Sequence, residues 1–168
     1  MKIRLGFVSN SSSSSFILRV DMSKDNFIEE FRKEFYNSNK NLFMAELTNE
    51  IKELEETISK YQKELESVSE KDEKQSSFTK FCIDRDTNKL SMLKNTLEDL
   101  SGMTENDATI EQINHKGARI EDKGHCIKLH GFTSMYNSFE DVPEIMRDIL
   151  AMCAYKNIHC DLEVISKS

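Results

Sequence analysis

The chain has 168 residues, enough to bury a real core in one domain of ordinary size. With ten Phe and 38% apolar residues it is too apolar for a disordered chain, and with 32% charged residues it is too polar for a membrane protein. Its net charge of −7 argues against nucleic acid as a partner, which calls for a basic face, and no run approaches the roughly 18 apolar residues of a membrane span.

Met1-Lys2-Ile3-Arg4 has the charge of a signal peptide, but Leu5-Gly6-Phe7-Val8 is far short of the ~7–15 apolar residues that such a leader needs. A cytoplasmic location is therefore expected, with Cys82, Cys126, Cys153 and Cys160 as free, mostly buried thiols. Lys2 to Val8 reads as a short strand and Phe16 to Val20 as a second, β-branched and apolar. Ser23 suits the N-cap of a helix running to about Tyr36, with Phe27, Ile28, Phe31 and Phe35 on one apolar face.

Residues 40–101 are dense in Glu, Lys and Leu and contain no Gly or Pro. Met44, Leu47, Ile51, Leu54, Ile58, Tyr61, Leu65 and Val68 alternate in steps of three and four, which is one heptad seam. Polar Lys71 to Ser77 ends that pattern, and Ile83, Leu90, Leu93, Leu97 and Leu100 resume it. A short link between two helices of similar length favours an antiparallel hairpin. Asp86 interrupts the second seam. Either it occupies a seam position and sets register, or the seam drifts toward Phe78, Phe81 and Cys82 and Asp86 faces water.

Beyond Gly102, Ile110 to Ile113 and Ala118 to Glu121 read as short strands, with turns at Gly117 and Gly124. Cys126 to His130 alternates like a better strand. Ser138 and Asp141 lead into Pro143 and a helix through about Lys156, and Ile158 to Ile165 closes the chain as a strand. The expected fold is α+β: a small, mainly antiparallel sheet with covering helices, built from residues 1–37 and 103–168. An antiparallel coiled-coil helical hairpin at 40–101 is inserted in it.

The segment Gly6-Phe7-Val8-Ser9-Asn10-Ser11-Ser12-Ser13-Ser14-Ser15-Phe16 stands apart. Its hydroxyls suit a turn between strands, a cradle for an anion beside Lys2, Arg4 and Arg19, or a set of phosphorylation sites. Lys2-Ile3-Arg4 followed by this run resembles an N-terminal signature of small bacterial, archaeal and phage proteins of uncharacterised function. The likeness covers about the first sixteen residues. It implies a small protein carried by phages or other mobile elements and brings no catalytic residue with it.

His125-Cys126 and His159-Cys160 are weak metal candidates, because neighbours on a strand point to opposite faces and no Cys-x-x-Cys or His-x-x-x-His occurs. If their strands were adjacent, His125 would share a face with His159 and Cys126 with Cys160. No nucleophile elbow, zinc-protease helix or dinucleotide loop is present, so the reading leans away from an enzyme and names no cofactor. Phe78 and Phe81, just past the hairpin tip, are candidate partner contacts. The expected function is non-catalytic protein interaction or regulation, with a host protein or a second copy as partner. The alternative is phosphate or nucleotide binding at the Ser-rich loop.

Overall fold

A computed structural model describes the backbone of residues 2–5, 13–35, 39–67, 72–133 and 139–167, and the side chains of these except 2–5, 13, 166 and 167. The chain forms two compact units, Met1–Asn39 with Glu105–Ser168, and Lys40–Thr104. The α+β class, the mainly antiparallel sheet and the helical hairpin expected from the sequence are all present.

In the first unit, strands β1 (Lys2–Leu5), β2 (Ser13–Val20), β3 (Ala118–Asp122), β4 (Ile127–Thr133) and β5 (Cys160–Lys167) form one sheet in the order β1-β5-β2-β4-β3. All neighbours are antiparallel except β1, which runs parallel to β5. The period-two alternation of β2 buries Phe16, Leu18 and Val20 on one face. The register carries these into rows across the sheet: Val164–Phe16–Gly131–Ala118, Leu162–Leu18–Leu129–Ile120 and Cys160–Val20–Ile127.

Helices α1 (Lys24–Glu34), α4 (Glu105–His115) and α5 (Glu144–Tyr155) belong to the same unit, and their apolar residues join those rows in one core. Ser23 caps α1 by accepting from the Asn26 N–H, and Phe27, Ile28 and Phe31 are buried. The ring centroids of Phe31 and Phe35 lie 4.5 Å apart. Lys156, just past α5, bonds Glu30 of α1 at 2.8 Å. Pro143 stands at the N-cap of α5 after a 3-10 turn at Phe139–Asp141.

The strand expected at 110–113 is helical, lying inside α4. The buried residues there, Ala108, Thr109, Gln112 and Ile113, recur at one, three and four residues. That is a helical face. Glu105 and Asp107 in the first turn and His115 in the last complement the helix dipole. Two Ile three residues apart had the right composition for a strand but the wrong period.

The second unit is α2 (Lys40–Ser67) packed on α3 (Glu73–Ser101), each about 42 Å long at 1.5 Å per residue. Asp72 caps α3 through the Gln75 N–H, so Lys74 to Ser77 are helical rather than part of a link. Leu47, Ile51 and Ile58 fill the α2 seam with Phe43, while Met44, Leu54, Tyr61 and Leu65 are half-buried beside them. Val68 lies outside the described residues.

On α3 the buried residues are Thr79, Cys82, Asp86, Leu93 and Leu100, and Ile83, Leu90 and Leu97 flank them half-buried. The seam thus passes through Cys82 and Asp86 together. Asp86 is 6% exposed and accepts from Arg85 Nε at 2.8 Å, so the water-facing alternative fails. Lys89–Glu50 and Lys94–Glu55 tie the two helices at 3.1 and 2.6 Å.

Candidate functional site

Ser9, Asn10, Ser11 and Ser12 lie outside the described residues, and Ser13 to Ser15 form the first part of β2. Ser is a weak strand former. Here β2 is paired on both sides, Ser14 with Thr133 and Ser166 and Ser15 with Phe132 and Ile165. The doubled ladder overrides local preference. Ser14 is buried on the core face and Ser15 is half-buried on the opposite one.

The three cations expected near the tract are distributed across the sheet. β5 runs between β1 and β2, and the register sets Lys2 and Arg19 on either side of Asp161 and Arg4 beside Glu163. Arg19 Nε also bonds Asp21 Oδ1 at 2.9 Å. Each cation therefore sits in register with a carboxylate.

The histidine–cysteine pairs do not converge, because β2 separates β4 from β5. His125 is exposed in the β3–β4 turn, and His159 Nδ1 pairs with Asp21 Oδ2. Asp21 is opposed by desolvation, but hydrogen bonds from His159 and Arg19 prevail and hold its carboxyl below the usual range. Cys126 and Cys160 are buried in the core, where the hydrogen bond from the Cys153 thiol lowers the pKa of Cys160. Among the described residues no three His, Cys, Asp or Glu gather as a metal site.

Phe78 and Phe81, on α3, are 66% and 61% exposed. They lie one turn apart, Phe78 beside the seam one turn before Cys82 and Phe81 further round the helix. Lys74 precedes Phe78 by four residues and Arg85 follows Phe81 by four, so all four share an outer stripe, and both cations are exposed. The stripe could be read from spacing once the seam was phased by Cys82 and Asp86.

A further feature escaped the sequence reading. The sheet face opposite the core carries a groove of about 840 Å³. Phe132 and Ile165 stand on either side of Ser15, one strand away in each direction. In the next row, Ile17 lies beside His130, and His130 beside Arg119. Asn114 at the end of α4 completes the lining. Phe132 is 64% exposed, and Ile165 across the groove is 38% exposed.

His130 Nε2 pairs with Glu121 Oε2 at 2.7 Å. Hydrogen bonds from Lys123 and then His130 hold Glu121 down to about 2. No family model, curated protein or solved structure matches the chain. Among the described residues no helix is long and apolar enough to cross a membrane.

Proposed function

We propose that the protein is a non-catalytic interaction module that binds a partner protein through the outer stripe of α3. The observation that carries this reading is the pair Phe78 and Phe81, two large aromatic side chains left exposed on a helix whose seam packs on α2. Aromatic residues are enriched at the cores of protein interfaces, because they bury much area for little lost conformational freedom. The resemblance of the N-terminal run to a signature shared with phage proteins supports a regulator acting on a host protein.

The test is quantitative recovery of bound proteins from the native host with the wild type, with Phe78→Ala/Phe81→Ala, and with Lys60→Ala on α2 as a control. Loss of one partner in the double variant only, at an unchanged melting temperature, is the expected result. Equal recovery by all three chains, or a large fall in melting temperature of the double variant, refutes the reading.

A second reading, phosphate or nucleotide binding, is favoured by one observation. Ser15, the last serine of the tract, lines the groove together with Arg119 and His130.

A further inference from the structure

We infer that the groove on the open face of the sheet is a binding site for a free mononucleotide, with the base held at Phe132 and the phosphate at Arg119. The inference rests on the second reading above and makes no use of the hairpin.

The shape follows from the register. Phe132 on β4 and Ile165 on β5 flank Ser15 on the strand between them. Two strand spacings separate those walls, about 9.6 Å. Such a slot admits a flat ring against Phe132 with Ser15 as its floor, and it is too narrow for a helix. An exposed aromatic ring on a sheet is a stacking platform for a base, whichever base it is, because every base has a π-face.

The charge follows from composition. The chain carries 30 Asp and Glu, yet none lines this groove. Arg119 is exposed and makes no ion pair among the described residues. It stands one strand across and one row along from Phe132, about 8 Å on the diagonal, which is the scale of a sugar between base and phosphate. The two carboxylates of this face nearest in register are accounted for. Glu121 is engaged by Lys123 and His130, and Glu163 lies three strands from Arg119. His130 is held through Nε2, which leaves its other ring nitrogen for the ligand. A neutral apolar ligand would leave Arg119 unused, and inorganic phosphate would leave Phe132 unused.

Isothermal titration with AMP, GMP and UMP tests this on the full chain. Adenosine, inorganic phosphate and a short single-stranded oligonucleotide serve as separate arms. The expected result is saturable binding of the mononucleotides, with adenosine and inorganic phosphate each about tenfold weaker or worse. Phe132→Ala and Arg119→Ala each lower the affinity by about tenfold, whereas Arg19→Ala, on the same face but outside the groove, leaves it unchanged. Both groove residues are exposed, so their variants should melt with the wild type; if Phe132→Ala does not, Phe132→Leu removes the ring and keeps the bulk. Flat titrations, or unchanged affinity in both groove variants, overturn the inference. So does inorganic phosphate binding as tightly as AMP, which would leave the anion reading standing alone. Tighter binding of the oligonucleotide than of any mononucleotide assigns the face to nucleic acid and likewise overturns it.

Discussion

Gly131 is the position where the smallest substitution should do the most damage. It lies on β4 in the core-face row between Phe16 and Ala118. A Cβ there would run into the Met146 sulfur and stand 3.0 Å from Pro143 Cγ. Met146 is fully buried, so its sulfur cannot swing into water, and Pro143 is a ring at the N-cap of α5. Gly131→Ala should therefore push α5 off the sheet or force an off-rotamer Met146. Overpacking of this kind costs about 1–3 kcal/mol, or roughly 3–10 °C in Tm for a chain of this length. Gly124→Ala meets no atom but sits at φ +83°, so it should cost only about 1 kcal/mol of backbone strain. Gly102→Ala, with αR backbone and its nearest neighbour at 3.8 Å, should be close to neutral. Urea and thermal unfolding followed by circular dichroism rank the three. A double-mutant cycle with Met146→Ala isolates the cause, because removing the sulfur should recover most of the loss. Gly131→Ala as stable as Gly102→Ala, or strictly additive with Met146→Ala, would refute the close-approach argument.

Three further outcomes are expected. Asp86→Leu should leave the hairpin as stable as before or more so, since an apolar seam residue replaces a buried carboxylate, whereas Arg85→Ala should lower its stability by stranding that carboxylate; helix content against urea measures both. Because Glu121 is held down to about 2 from 4.5, its contribution to stability is fully present above the unfolded value and is lost as pH falls toward 2, so the acid limb of a stability–pH curve should flatten in Glu121→Gln. Phe16→Ala, by contrast with the exposed pair on α3, removes a fully buried ring and should cost about 3–5 kcal/mol in chemical unfolding.

The local period alone was enough for much of this chain. The three-four rhythm of α2 and α3, the Ser23 cap, the Phe stripe of α1 and the alternation of β5 are all consequences of residues within a few positions of one another, and the α+β class follows from their order. The exposure of Phe78 and Phe81 does not belong with these, because the spacing allowed the α3 seam to drift toward them, and only the burial of Cys82 together with Asp86 fixes its phase.

What required the tertiary structure is everything that depends on which strand neighbours which. Insertion of β2 between β4 and β5 parts the two His–Cys pairs, sets Lys2, Arg4 and Arg19 against carboxylates, and turns the last serines of a polar tract into a doubly paired central strand. It also creates the groove, whose walls come from residues 33 positions apart, Phe132 and Ile165, with a floor at Ser15. Strand order is decided by long-range burial across the whole sheet. No spacing within a single segment encodes it, so a site assembled from four strands is invisible until the sheet is built.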